Sequence, residues 1–382
     1  MAKGYNASGD ILTRTRDGQD LNAIWQQYQE MLALFNAQRQ PLIDLLSFTT
    51  NQIIEEVVQP GQEEFEEATE FGIPTGIRPA PAPTSRAYPF KWFDTRAAYT
   101  FQFLAGGPTN TQGATQAQLD AILSMVMEAD NNLQFKNVMR ALFNNVNRQT
   151  IIDGFNYMVT ALYNADGSFI PPYQGVDFNG LTHTHYLSTG SAQAHIFDPG
   201  DFMTAGGHVE HHGYDRGAGY NILMVMNLAD AQATIANFAR GVSFGGVNSI
   251  YDFIPSAGQN LVVQLPPGFT LVGGLPANTF AGLNVLGSWG PYLIVTHGQI
   301  PAGYFIAVAT RGTSTQTNVV GIREHGLPGL RGLVLRPGNT QAYPLIDSYY
   351  IRGLGTGVGP RGAAAIMQNA VAYSVPAAFA WA

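Results

Sequence analysis

Six of the eight histidines lie between residues 183 and 212: His183, His185, His195, His208, His211 and His212. An extended chain would set His183 and His185 on one side, and a helix would set His208, His211 and His212 on one face. Neutral imidazole is the commonest zinc ligand, and Asp198, Asp201, Glu210 and Asp215 stand close enough in sequence to add carboxylates. No H-E-x-x-H occurs, however, and His183-Thr184-His185 lacks the following Glu of a cupin-like site. Histidines in glycine-rich loops are more often surface or interface residues, so no metal and no cofactor is expected. A His-ligated metal-dependent enzyme is the alternative.

Two further patterns could carry chemistry. Gly241-Val242-Ser243-Phe244-Gly245 matches G-x-S-x-G, but a nucleophile elbow needs a strand before the serine and a helix after it. Here the preceding segment reads as helix and Gly, Asn and Ser follow, so the match is fortuitous. The string Gly353-Leu-Gly-Thr-Gly-Val-Gly359 follows a strand, as a phosphate loop would, yet no frame gives G-x-G-x-x-G and no P-loop lysine exists. It reads as a flexible or tightly turning loop. No catalytic residue is expected.

The chain has 382 residues with 45% hydrophobic and only 12% charged, where about a quarter charged is ordinary for a soluble domain. Half the usual charge implies that much of the surface faces other protein. The three lysines and sixteen arginines form no basic stripe, which argues against sequence-specific nucleic-acid binding. With no cysteine there is no disulfide frame or thiolate chemistry. The N-terminus lacks a signal-peptide core, and no apolar run reaches spanning length, so no membrane is expected. Seven glutamates crowd residues 55–70 without a basic neighbour and carry nearly all the net charge of −8. Such a block is either a solvated helix face or a docking strip for arginines of another subunit, arginine being the better ion-pair partner at a desolvated interface.

The elements that would position these groups follow from periodicity. Residues 19–58 read as helix, kinked at Pro41. The tract Ile73–Pro83 is too proline-rich for helix or central strand, and Tyr99, Phe101 and Phe103 then alternate as a strand. Thr115-Gln-Ala-Gln118 has the form of a capping box and opens a helix reaching about residue 145, either broken near Asp130 or a spine of roughly 45 Å. Helix is expected at Ile151–Tyr163 and near Ala229–Arg240. An apolar run covers Tyr220–Leu228, and strands are expected at Leu261–Gln264, Leu293–Val295, Phe305–Val308 and Ser348–Arg352.

This order of segments, an arm, a proline-tipped extended loop, a spine helix, an α+β region and a closing strand, resembles the HK97-like major capsid proteins of tailed phages. The stretch Gly332–Gly338, Tyr343–Tyr350 and Arg352–Arg361 is similar to the return strand and loop of capsid subunits from phages of actinobacteria. The resemblance implies an α+β HK97-like capsid fold with an N-arm at 1–59, an E-loop at 60–108, a P-domain at 109–217 plus 340–382, and an A-domain at 218–339. It implies no catalytic site, self-assembly into hexamers and pentamers of an icosahedral shell, and double-stranded DNA enclosed without sequence-specific binding. Portal, scaffold and decoration proteins are the further partners it implies, with the virion as location and assembly in the host cytoplasm. Neither a cleaved scaffolding segment ahead of the arm nor Lys91 cross-linking is expected. Inter-subunit contacts are expected at Glu63, Glu64, Glu66, Glu67, Arg78, Arg86, Trp92, Arg352 and Arg361. An encapsulin-type cargo shell shares the fold and is the second alternative.

Overall fold

A computed structural model describes residues 12–57, 69–72, 84–106, 113–152, 154–166, 183–190, 197–257, 275–338 and 346–381. Asp20 caps the first helix, Leu21–Ala37, its carboxylate accepting from the backbone N–H groups of Asn22 and Ala23. The buried stripe is Leu21, Ile24, Tyr28 and Leu32. The expected continuation of helix to residue 58 is corrected. A short helix, Pro41–Leu46, gives way to strands at Ser47–Thr50 and Ile54–Val57. Ser47–Thr50 lies parallel to Val320–Arg323, so its backbone groups find partners some 270 residues away that local periodicity cannot reveal.

The expected strand at Tyr99–Phe103 is also displaced. The strand is Phe90–Tyr99, and Thr100 then caps a short helix, Phe101–Ala105, its hydroxyl accepting from the Phe103 N–H. The Thr115–Gln118 capping box forms, and the helix it opens, Gln116–Phe143, runs unbroken through Asp130 for 28 residues, roughly 42 Å at 1.5 Å per residue. The helix expected at Ile151–Tyr163 is instead a hairpin of Arg148–Ile152 and Phe155–Val159. Gly154 (φ +84°) supplies the left-handed turn, and the β-branched Thr150, Ile151 and Ile152 suit a strand.

Two sheets organise the rest. In the five-stranded sheet the order is Ser47–Thr50, Val320–Arg323, Ser348–Val358, Leu333–Arg336, with Phe90–Tyr99 also paired to Ser348–Val358. The glycine string is therefore not a loop: Gly353, Gly355 and Gly357 sit buried inside the strand. A Cβ on Gly355 would lie 2.6 Å from the Pro89 carbonyl, one on Gly357 2.9 Å from the Ala87 carbonyl, and one on Gly353 would meet the Phe90 ring. These residues are glycine because another backbone and an aromatic ring pass directly over them. The long helix covers this sheet, and the helix Leu21–Ala37 packs with its first half through Leu119, Leu123 and Val126.

The eight-stranded sheet has the order Phe253–Pro255, Leu283–Trp289, Tyr292–Thr296, Asn221–Met226, Tyr304–Thr310, Ala364–Gln368, Tyr186–Ser188, with Thr279–Phe280 on Leu283–Trp289. Its central strands are buried on both faces, which explains their unbroken apolar runs. The expected strands at 293–295 and 305–308 lie in it. The helix near 229–240 is shorter, Leu228–Ile235, and Leu261–Gln264 falls outside the described residues. On one face rests the helix Pro199–Glu210, through Phe202, Ala205 and Val209. Among the described residues no helix is long and apolar enough to cross a membrane.

Candidate functional site

The helix Pro199–Glu210 is built to deliver its C-terminal end. Asp198 and Asp201 exchange side-chain-to-backbone hydrogen bonds at 2.8 and 2.9 Å, and Pro199 occupies the first turn. Desolvation pushes the Asp201 carboxyl up to about 6. Gly206 lies against Tyr292, leaving no room for a Cβ, so the helix sits close on the sheet. His208 is in its last turn, and His211 and His212 follow at the i+3 and i+4 positions, so all three share one side, as the spacing predicts.

Facing them is an extended segment held from both sides. The Ala165 N–H donates to the His183 carbonyl at 2.9 Å and the His185 N–H to the Tyr163 carbonyl at 2.6 Å, while the Ile366 N–H donates to the His185 carbonyl at 2.8 Å. The alternation places His183 and His185 on one face, again as expected. His195 lies outside the described residues.

The two segments bring five imidazoles together. His183 Nε2 stands 3.0 Å from His185 Nε2 and 3.1 Å from His212 Nε2. His208 stacks on His183 with ring centroids 5.0 Å apart, and the Tyr163 ring stacks on His212 at 5.0 Å. His185 is fully buried, and its Nδ1 donates to the Ala364 carbonyl at 2.6 Å, which leaves its Nε2 lone pair facing the cluster. Desolvation first, then neighbouring imidazoles, hold His183 and His211 at about 4 and His212 at about 3, with His185 lowered likewise and His208 lowered by burial against the pull of the Thr204 carbonyl. The rings are therefore neutral near pH 7. The carboxylates read as possible co-ligands serve elsewhere: Asp198 and Asp201 in the cap, Asp215 accepting from the Ala218 N–H, and Glu210 bonded to Tyr292.

A second polar cluster lies under the five-stranded sheet. Arg352 donates to Asp130 at 3.0 Å and to Asn36 at 3.3 Å, and its other Nη stands 3.9 Å from Glu324. Glu324 accepts from Arg39 at 2.6 Å, and Asp130 accepts from Gln134 at 2.8 Å. Burial raises the Asp130 carboxyl, with Arg352 and Gln134 pulling it back. Asp130 was hidden in the sequence because Asp-Asn-Asn looks like a helix interruption; only the facing guanidinium explains a carboxylate on the buried side.

The expected contact residues divide sharply. Arg352 and Arg361 are buried and bind inside their own chain, which corrects the reading that they reach a neighbouring copy, since burial within one subunit can only deepen in an assembly. Arg361 donates to the carbonyls of Ala161 and Leu162, to Asn164 and, at 2.8 Å, to Asp166. Arg86 is half-buried on Thr84–Ala87, directly across from Glu55, and Glu55 accepts from the Tyr88 hydroxyl at 2.8 Å. That end of the acidic block is therefore strand rather than helix. Trp92 is 46% exposed, packed edge-on to Phe90 and close to His325. Glu63, Glu64, Glu66, Glu67 and Arg78 lie outside the described residues. Sequence reasoning missed the hairpin 148–159, whose Ile151 and Phe155 are 72% and 67% exposed. Ser243 belongs to a small hairpin whose turn is Gly245-Gly246, both at positive φ, not to a nucleophile elbow.

Comparisons with known proteins fit this architecture. No family model and no curated protein matches the chain. A solved structure described as Mycobacterium phage Patience is 38% identical, covers 99% of this chain and 98% of its own, and superposes with a TM-score of 0.74. Two remote likenesses are the capsid of an empty GTA particle (15% identity, 85% and 88% coverage, TM-score 0.41) and the holo-SrpI encapsulin complex of Synechococcus elongatus (12%, 92% and 90%, TM-score 0.40). At those scores neither bears on the argument.

Proposed function

This chain belongs to the HK97-like family of tailed-phage major capsid proteins, and we propose from that premise that its copies close into an icosahedral shell around double-stranded DNA held without sequence readout. Its role is structural, in the virion. The likeness to a phage protein over essentially the whole chain carries this reading. The low charge and the exposed apolar side chains agree with it, because large apolar groups on a soluble subunit mark surfaces that partners cover. Sister copies cover Trp92 on its strand and Ile151 and Phe155 on their hairpin.

In the same reading residues 1–59 form the N-arm, 60–108 the E-loop, 109–217 and 340–382 the P-domain, and 218–339 the A-domain. Hexamers and pentamers assemble in the host cytoplasm, with portal, scaffold and decoration proteins as further partners. Glu63, Glu64, Glu66 and Glu67 dock against basic groups of a neighbouring copy, with Arg78 and Arg86 as the arginine candidates that remain. Such complementarity fixes register more than affinity.

Electron microscopy of the purified full chain tests the reading. Closed shells are expected, containing DNA when isolated from infected cells, which separates a genome container from a cargo compartment. Lys at Glu63, Glu64, Glu66 and Glu67, or Ser at Ile151 and Phe155, should abolish shells while circular dichroism stays unchanged. A wild-type chain that stays monomeric at high concentration would overturn the proposal.

A further inference from the structure

We propose that His183, His185, His211 and His212 form a structural site for one transition-metal dication, Zn²⁺ foremost, which pins the extended 183–185 segment to the end of the helix Pro199–Glu210. The inference is independent of the shell reading, since it rests on the geometry of one subunit.

The ligand atoms of these four residues all lie within 4.8 Å of one another. A tetrahedral zinc with bonds of about 2.0–2.1 Å sets its nitrogens ~3.4 Å apart. Two of the separations, 3.0 and 3.1 Å, are slightly shorter than that, and the widest, no more than 4.8 Å, must close as the rings turn onto the ion. Three Nε2 atoms meeting this closely is an awkward arrangement for imidazoles alone. Hydrogen bonding satisfies it only if one N–H is shared between two lone pairs. A cation at the centre accepts a lone pair from every ring.

The surroundings have the character of a metal site's outer layer. The Ala364 carbonyl fixes the tautomer and orientation of His185, the usual device for aiming a ligating imidazole. Tyr163 stacks on His212, and a Cβ at Gly362 would lie 2.8 Å from the His212 ring, so glycine at 362 allows the backbone to back the ligand closely. An all-imidazole set with no carboxylate or thiolate selects borderline d-block ions over Mg²⁺ or Ca²⁺. Four protein ligands complete a tetrahedral shell with no open position, which makes the site structural rather than catalytic.

The test uses the full chain, stripped with EDTA and titrated with Zn²⁺ by calorimetry, with bound metal counted by elemental analysis. One zinc per chain is expected, undisturbed by millimolar Mg²⁺, and His183→Ala with His212→Ala should lower zinc uptake at least tenfold. Because that variant can fail through misfolding, Co²⁺ added to the stripped wild type gives a second readout. Intense visible absorption of a tetrahedral cobalt centre is expected. Wild-type protein that binds less than a tenth of an equivalent of zinc, or whose cobalt spectrum stays that of the hydrated ion, would overturn the site.

Discussion

The two polar clusters in this subunit solve burial in opposite ways. Beneath the five-stranded sheet, Arg352 and Asp130 answer one another, with Asn36 and Gln134 adding hydrogen bonds and Glu324 standing 3.9 Å from the guanidinium, while Arg352 Nε and Asp130 Oδ1 stay buried without a partner. Beside the eight-stranded sheet, five imidazoles meet with no opposite charge among them, and burial foremost holds them neutral. The first cluster pairs opposite charges within the chain and joins four segments: the end of the helix Leu21–Ala37, the long helix, Glu324 just after the strand Val320–Arg323, and the strand Ser348–Val358. The second gathers ligand nitrogens of four residues within 4.8 Å of one another, the set that the proposed cation takes up. Burying polar groups thus indicates different things in the two places: internal bracing in one, a ligand in the other.

The largest effect tests the first half of that contrast. Arg352→Ala leaves Asp130 buried beside no countercharge and should lose about 3–5 kcal/mol in chemical denaturation of the subunit. Replacing both partners, Arg352→Met with Asp130→Leu, should recover most of the loss; a single variant as stable as wild type would remove the bracing role. On the same strand, Gly355→Ala forces a methyl against the Pro89 carbonyl and should lose about 1–3 kcal/mol by the same measurement, with no effect on zinc uptake.

Metal removal probes the other half. At zinc a hundredfold above its dissociation constant, binding should add about 2.7 kcal/mol, or about 3 °C in thermal unfolding of a chain this long, and EDTA should abolish the gain. Arg352→Ala should show the same zinc-dependent shift from a lower starting point, which separates the clusters energetically. A pH-dependent effect lies in the helix that carries the histidines. Asp201 titrates at about 6 in the folded chain against 3.8 for the ordinary group, so the native state holds a proton that the unfolded chain releases. That contribution is fully present below about 3.8 and is lost as pH rises through 6. Asp201→Asn, which keeps an acceptor for the Asp198 N–H, should therefore gain stability over wild type above pH 6 and lose that advantage by pH 4, read from urea midpoints across the range.

Part of each cluster was legible in the residues. The i, i+2 spacing of His183 and His185 and the i, i+3, i+4 spacing of His208, His211 and His212 announced two one-sided arrays. Nothing local said that the arrays face each other, because the segments meet through pairing with Tyr163 and Ile366. Arg352 looked like a surface docking arginine because its partner sits 222 positions earlier in what reads as a helix break. The strands at 47–57 and 148–159 passed for helix because apolar spacing over so short a window fits both periods, and their pairing partners or turn glycine decide between them. The hairpin's exposed Ile151 and Phe155 went unnoticed for the same reason.

Composition and order along the chain determined by themselves that this is an α+β subunit of an assembly: low charge, aromatic extended segments, a capped long helix and a closing strand are properties of local residue type and spacing. The placement of the glycines inside a strand, the internal commitment of Arg352 and Arg361 and the convergence of the histidines were decided by tertiary structure alone. Each depends on contacts between residues far apart in sequence, and the free energy of such a contact belongs to the pair rather than to either residue's neighbourhood.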